Sequence, residues 1–326
     1  MVDYRTFNFP GFSQGSNLLT GIRQDDKDLY ITGFYVPEDS GTVSYLYKGS
    51  WSNIKQGSGG YYILNYPGSN TTNLYGPKVL KHNKVRVVGN YTLTGSSNLY
   101  GCMYSGSLNG DGCWKTIMPR DAINAICHST DGKLVVGNYD TATVTGNAFI
   151  YDIVSDKFKD IKHKKAKSIT AYGIVYLGCD EYVICGGYSP IGLGAPTDVG
   201  YTVHYNRKTK KFSKWRDYYY DEQLNCSTGE GRCPSPNQSK SDVTHFDGIS
   251  KHNNDYGYNL TGVALYESKE VAFVAHVNKH GHVTWSNIAY PNAITTTGNS
   301  IANKFVIGVY TDQSGVVNSY IAKLTH

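Results

Sequence analysis

His245 and Asp247 stand two residues apart in the segment Val243-Thr244-His245-Phe246-Asp247-Gly248-Ile249. On an extended strand this spacing turns both side chains to one face. An imidazole beside a carboxylate can form an oriented general base or part of a metal site. One of each is an incomplete ligand set, and buried polar groups bonded across a channel or to water are the competing use. No metal and no cofactor is therefore expected. His280-Gly281-His282 is a second thin metal signal that reads more simply as a solvent-facing turn. The other chemistry in reach is aromatic: 29 tyrosines, among them Tyr218-Tyr219-Tyr220, Tyr61-Tyr62, Tyr256 and Tyr258. Rigid rings with a polar tip stack on sugars and anchor interfaces, although Tyr also fills strands.

Several chemistries are excluded by what is missing. The seven arginines are scattered, so no cluster can hold a substrate carboxylate, and Ser129-Thr130-Asp131-Gly132 reads as a hairpin. No repeated position offers the two converging carboxylates of a glycosidase, and no Gly-X-Ser-X-Gly elbow occurs. A lectin-like Arg/Glu/Trp set in each repeat is also absent. The net charge of +5 is spread along the chain, with one dense run, Lys162-His163-Lys164-Lys165-Ala166-Lys167, that reads as a solvated loop or an anion contact. Without an RNA-binding motif, nucleic acid is not an expected partner. No apolar stretch approaches the ~18 residues of a membrane helix, so membrane insertion is not expected.

The seven cysteines suggest staples. Cys226 and Cys233 close a Gly-rich, Pro-bounded segment, and Cys102 and Cys113 flank a turn, so both pairs are expected as disulfides. Cys179 and Cys185 bracket another turn in uncertain register, and Cys127 reads as a buried thiol. An all-reduced chain is the alternative; pairs so close in sequence favour an oxidising compartment. The five Asn-X-Ser/Thr sequons decide nothing in a chain this rich in those residues. The start, MVDYRTFNFP, shows no signal peptide.

Repeats supply the elements that must position these groups. A strand of the form apolar-X-Gly-X-Tyr recurs at Ile31–Tyr35, Val87–Tyr91, Val135–Tyr139 and Ile184–Tyr188, degenerately at Leu260–Ala264, and at Ile307–Tyr310. About a dozen residues before each lies an X-Gly-Ile element or a variant: Thr20-Gly21-Ile22, Tyr75-Gly76-Pro77, Asn124-Ala125-Ile126, Tyr172-Gly173-Ile174, Asp247-Gly248-Ile249 and Asn299-Ser300-Ile301. Asn, Asp and Gly turns separate the two each time, as hairpins require. A third strand follows (Tyr45–Tyr47, Phe149–Tyr151, Tyr320–Ala322 and their equivalents), then a fourth such as Trp51–Ile54 or Trp114–Ile117. The sixth copy lacks a fourth strand, which Tyr4–Pro10 has the form to supply. The prediction is an all-β, six-bladed β-propeller of four antiparallel strands per blade, closed by the N-terminal strand so that no sheet edge is left open. Blades are expected at 11–57, 58–120, 121–164, 165–220, 244–290, and 291–326 with 3–10, with 221–243 a long surface insertion.

The repeats resemble a known pattern. Phe9-Pro10-Gly11, Leu19-Thr20-Gly21-Ile22, Ile31-Thr32-Gly33-Phe34-Tyr35 and Tyr45-Leu46-Tyr47 together look like the HAF-type extracellular repeat of bacterial proteins, as do Tyr66-Pro67-Gly68 with Gly89-Asn90-Tyr91 and Tyr290-Pro291 with Gly308-Val309-Tyr310. The third copy has Met118-Pro119-Arg120 instead, and the fourth lacks the Pro. The resemblance covers nearly the whole chain. It implies a secreted or surface propeller and carries no catalytic residues to transfer.

In such a ring the residue before each inner-strand Gly lies at one level of the axial channel: Thr20, Tyr75, Asn124, Tyr172, Asp247 and Asn299. The expected function is non-catalytic recognition of a glycan or protein through the loop-bearing face, with Thr20, Asn124, Asn299 and Tyr218, Tyr219, Tyr220 as contacts and the 221–243 insertion as the main element. The alternative is an enzyme (hydrolase, lyase or isomerase) at the channel mouth, using His245, Asp247, Tyr172 and Tyr75. A purely structural propeller is the third reading. Oligomeric state is not set by the sequence.

Overall fold

A computed structural model describes residues 2–11, 17–37, 41–192, 197–220, 241–252 and 257–325. The alternating polar and apolar pattern of the repeats is realised as strands, with burial alternating along the inner strand Asn17–Asp25 and its equivalents. These assemble into six sheets of four antiparallel strands set in a ring, a six-bladed β-propeller. Blade one is Asn17–Asp25, Asp28–Tyr35, Val43–Ser50 and Gly60–Ile63; blade two is Thr71–Val79, Lys84–Thr92, Tyr100–Ser107 and Gly112–Thr116. Blade three is Ala122–Asp131, Leu134–Thr141, Asn147–Asp152 and Lys157–Ile161. Blade four pairs a split inner strand, Ala166–Ile169 and Gly173–Gly178, with Glu181–Pro190, Val199–Asn206 and Lys211–Tyr218. Blade five is Val243–Lys251, Tyr258–Tyr266, Lys269–Val277 and Val283–Ile288. Each inner strand packs beside the next, and blade six returns to blade one.

Blade six closes the ring as the repeat count requires. Its split inner strand, Thr295–Thr296 and Ser300–Ala302, precedes Phe305–Thr311 and Val317–Leu324, and Val2–Thr6 supplies the outer strand with Arg5 opposite Ile321 and Thr6 opposite Tyr320. The Phe7 N–H extends this pairing to the Ser319 carbonyl at 2.9 Å. One expected strand is absent: Trp51–Lys55 is a one-turn helix, because Ser50 and Asn53 cap each other's backbone. The outer strand of blade one is Gly60–Ile63 instead, which pairs Tyr61 with Tyr47.

Much of the tyrosine is explained by the repeats. The aromatic before Pro stacks on the Tyr that ends the Gly-X-Tyr strand: Tyr66 on Tyr91 and Tyr290 on Tyr310, each at 3.7 Å, and Phe9 on Tyr35 at 4.5 Å. In blade four, where Pro is missing, His163 packs on Tyr188 at 4.5 Å. Thr116 bridges both hydroxyls of the blade-two pair at 2.9 Å, and Thr6 does the same in blade six at 2.8 Å. The N-terminal strand therefore reproduces the side-chain role of an outer strand as well as its pairing. The repeated Gly of the second strand makes room beside the inner-strand backbone; a Cβ on Gly89 would lie 2.0 Å from the Asn73 carbonyl oxygen.

Candidate functional site

Every inner strand is interrupted at an equivalent place. Register shifts occur between Leu19 and Gly21, Leu74 and Pro77, Cys127 and Ser129, and Phe246 and Gly248, while in blades four and six the strand breaks across 170–172 and 297–299. A bulge re-aims the extra residue, and here that position is Thr20, Tyr75, His128, Tyr172, Asp247 and Asn299. Five of these are the residues expected at this level. In blade three the occupant is His128 and not Asn124. The hairpin there is short, so His128 precedes Gly137 by the same interval that separates Asn299 from Gly308. Asn124 lies one bulge earlier and accepts the Leu99 N–H at 2.9 Å. The missed signal was the pattern Cys127-His128-Ser129, with Ser in the Gly position.

The six wall positions do unequal work. Thr20 donates to the Leu74 carbonyl of blade two, and the Asn299 amide donates to the Leu19 carbonyl at 2.9 Å, so both tie blades together. The rest form an unbroken arc. Tyr75 meets His128 edge-on at 5.1 Å, His128 stacks on Tyr172 at 3.9 Å, and Tyr172 meets His245 edge-on at 4.7 Å. Below the arc, Arg23 of blade one reaches Ser129 Oγ of blade three at 3.0 Å, and Asp131 pairs with Lys78 at 2.7 Å. Burial, with His245 adding to it, pushes His128 down to about 3, so its ring is neutral. The Asn138 side chain lies 3.1 Å from His128 Nε2. Tyr75 is pushed up to about 12 by burial, and Tyr172 is raised by burial and by Asp247.

The expected His245–Asp247 pair forms, with Nδ1 to Oδ1 at 3.1 Å. The other ring nitrogen, Nε2, lies 2.9 Å from Thr170 Oγ1. That hydroxyl also accepts the Gly187 N–H and donates to the Gly187 carbonyl, each at 3.0 Å. A threonine hydroxyl has one proton and two acceptor lone pairs, so with its proton on Gly187 it accepts from Nε2–H. Both ring nitrogens then donate, an arrangement that favours the protonated ring. The electrostatics agree: burial alone would lower its pKa, but Asp247 and then Asp198 outweigh it and hold it above the usual histidine value.

Asp198 is the residue that sequence reading missed. It lies at the end of the loop expected between Ser189 and Gly200, where a lone carboxylate in a Gly- and Pro-rich loop gives no signal. The fold brings it to the seam between blades four and five. Burial pushes it up to about 6, against the lowering effects of His245 and of backbone hydrogen bonds with Val199 and Tyr188. Its Oδ1 is buried and has no hydrogen-bond partner among the described residues. Gly187 explains how acid and base come so close. A Cβ there would lie 2.4 Å from His245 Cδ2 and 2.5 Å from Asp198 Oδ1. The same repeat position holds Phe34, Asn90, Asn138, Val263 and Val309 in the other blades, so the bare backbone is particular to this seam.

The other expected site residues are placed differently. Tyr218 and Tyr220 are 5% and 0% exposed, and Tyr219 packs against the core between blades. Tyr218 bonds with Thr202 and Tyr258, and the Tyr220 hydroxyl donates to Asn287 at 2.6 Å. Cys102 and Cys113 are free thiols, one buried and one exposed; Cys113 faces Ser105, whereas Cys102 faces Thr116, so the register holds them apart. Cys127, Cys179 and Cys185 are free as well. Cys226, Cys233 and most of the 221–243 insertion lie outside the described residues. No group of three metal-ligating side chains occurs among the described residues. Two clefts, of about 420 Å³ beside Cys179 and His204 and about 220 Å³ beside Asp160 and His163, lie off the axis. The basic run borders the second, with Lys165 paired to Asp217 at 2.9 Å.

No protein-family model matches the chain, and no curated protein matches it. Solved structures share its fold. A subtype N11 neuraminidase-like protein (flat-faced bat, Peru) superposes with a TM-score of 0.52 at 8% identity, covering 98% of this chain and 93% of that one. A sialidase of Trypanosoma rangeli in complex with sialic acid gives 0.46 at 10% identity, and this chain spans 57% of that one while 98% of this chain is covered. An arabinanase of Bacillus subtilis gives 0.43 at 11% identity, covering 94% and 93%. The first of these likenesses agrees with the six-sheet ring and shows the fold alone. The expectation of a non-catalytic recognition protein is corrected: of the three tyrosines expected on its binding face, Tyr218 and Tyr220 are buried in the blades and Tyr219 is half-buried. No helix among the described residues is long and apolar enough to cross a membrane.

Proposed function

We propose that the protein is an enzyme performing acid–base chemistry on a glycan at the channel wall between blades four and five. The observation that carries this reading is the opposed pair at Gly187: an imidazolium donor, His245, and a buried carboxylate, Asp198, with a free oxygen. Acid–base catalysis needs groups whose protonation states are matched to the working pH. Between about pH 6, where Asp198 ionises, and the raised pKa of His245, the base is charged and the acid still holds its proton.

The closeness of the two groups selects among reactions. An inverting hydrolase sets its acid and base roughly 6.5–9.5 Å apart so that water attacks the opposite face of the sugar. Here both groups pack against the backbone of one glycine, which suits proton removal and proton donation on the same face. Such geometry serves a lyase: Asp198 takes a proton from carbon, the adjacent carbon–oxygen bond breaks as the double bond forms, and the departing oxygen takes the Thr170 hydroxyl proton as His245 Nε2 passes its own to Thr170 Oγ1. Returning the proton from Asp198 to His245 resets the pair, with no water consumed. Asp247 is a positioning residue that keeps the imidazole oriented and charged, and Tyr172 walls the site.

The resemblance of the repeats to the HAF type supports a place outside the cytosol for this chemistry, checked by locating the natural protein in medium or lysate. The decisive experiment incubates the chain with a panel of uronate-containing and neutral polysaccharides, following absorbance of unsaturated ends and new reducing ends together. Unsaturated product that disappears in Asp198→Asn and His245→Gln is the expected result. Reducing ends without unsaturation would make the enzyme a hydrolase, and no product from any glycan would end the reading.

A further inference from the structure

We propose that the seam between blades two and three is a binding subsite for sugar hydroxyls that serves the same channel; this rests on the glycan reading above. Asn73 and Asn90 are cross-strand partners on the inner and second strands of blade two, and directly opposed residues share a sheet face. Their place in the repeat is informative. The Asn73 carbonyl stands against Gly89 as the carbonyls of Thr170 and His245 stand against Gly186 and Gly262. Asn90 follows Gly89 as Gly187 follows Gly186. The amide pair therefore occupies, between blades two and three, the place taken between blades four and five by Thr170 and the bare backbone of Gly187. Tyr75, at the start of the aromatic arc, is two residues from Asn73 and precedes the same bulge.

The equivalent amide of blade three is fully used: Asn138 Oδ1 accepts the Ala171 N–H at 2.7 Å, and its Nδ2 reaches His128 at 3.1 Å. Asn90 differs. It is 1% exposed, and neither its Nδ2 nor its Oδ1 has a partner among the described residues, nor does Asn73 Oδ1. Buried amides are ordinarily satisfied, so three such atoms on one face of one strand pair mark a place made for a polar guest. The guest must both donate and accept, because a carboxamide offers both functions. An anion or a cation answers only half of it, whereas neighbouring sugar hydroxyls answer both. Ordered water is the competing occupant.

The test uses the full chain carrying Asp198→Asn, so that sugar is held without turnover. Saturation-transfer NMR is recorded with glucose, galactose, N-acetylglucosamine and galacturonate separately. At least one sugar should bind, and Asn90→Leu, which keeps the shape and removes the amide, should weaken it about tenfold, the loss of one good hydrogen bond. Asn73→Ala should weaken it less. The Tm of Asn90→Leu without sugar should hold or rise, because no protein partner is lost. Binding of none of the four sugars, or equal binding by Asn90→Leu, overturns the subsite. A fall in Tm with sugar binding unchanged would assign the amides to structural water and also overturns it. Sugar binding that depends on Asn90 in a protein whose wild type converts no glycan would support the subsite while removing the reaction.

Discussion

Gly187→Ala perturbs the proposed centre without deleting any functional group. The added methyl would sit 2.4 Å from His245 Cδ2 and 2.5 and 2.8 Å from the two Asp198 oxygens. Ordinary contacts between carbon atoms are about 3.5–4.0 Å, so the methyl intrudes by about 1 Å on each side. His245 cannot yield freely, because Asp247 holds one nitrogen and Thr170 the other. Asp198 is held by backbone hydrogen bonds with Val199 and Tyr188. Something must still move by about an ångström, at a cost of about 1–3 kcal/mol for overpacking. A displacement of that size in reacting groups lowers a rate about 100-fold. The assay compares initial rates of wild type and Gly187→Ala on whichever glycan the panel identifies, with Tm measured in parallel. Gly187→Ser should behave at least as badly, and Val309→Ala, the same repeat position in blade six, should leave the rate within about twofold, because it lies beside Thr297 and away from His245 and Asp198. Wild-type turnover by Gly187→Ala at an unchanged Tm would refute the claim that acid and base meet across this glycine.

Other expectations follow from the same groups. The raised pKa of Asp198 means that its stabilising contribution is present below the unfolded value of 3.8 and lost as pH rises through about 6; at pH 8 the ionised group destabilises the fold by roughly 3 kcal/mol. Asp198→Asn should therefore raise Tm at pH 8 while abolishing turnover, and an unchanged or lower Tm would contradict its burial. His128 has the opposite sign: its depressed pKa, about 3, favours the fold above 6.5, and that stability is lost as pH falls toward 3. Urea midpoints should fall with acid below pH 6.5 more steeply in wild type than in His128→Phe. Thr6→Val removes the bridge to Tyr290 and Tyr310 and should cost about 1 kcal/mol, with Thr116→Val similar; a loss in Thr116→Val alone would deny the N-terminal strand its place in the blade. Native-state alkylation mapped by mass spectrometry should label Cys113 but not Cys102, Cys127 or Cys185 until the chain unfolds.

The propeller was legible because its signal is repeated. Five copies of Gly-X-Tyr and a sixth ending in Ala264, each preceded by a turn and an X-Gly-Ile element or its variant, state the sheet, its hairpins and the number of blades, and the leftover strand at Tyr4–Pro10 states how the ring closes. Errors arose where one copy departs from the pattern. The expectation falls on Asn124 because blade three has a short hairpin and Ser in the Gly position, so a fixed interval points one bulge too far. Trp51–Ile54 has strand composition, yet two local hydrogen bonds from Ser50 and Asn53 make it a helix. Tyr218–Tyr220 were read as exposed because a run of rings in one sequence does not say which way the seam between blades faces.

The sequence by itself determined the ring, the His245–Asp247 pairing and four of the remaining wall positions, since all three depend on local spacing along single strands. Tertiary structure alone decided which groups raise the pKa of His245 and which carboxylate faces it across Gly187. Thr170, Gly187 and Asp198 come from three separate stretches of blade four, and they meet His245 of blade five only because neighbouring sheets pack face to face around the axis. No pattern within one strand encodes a distance across a seam between two.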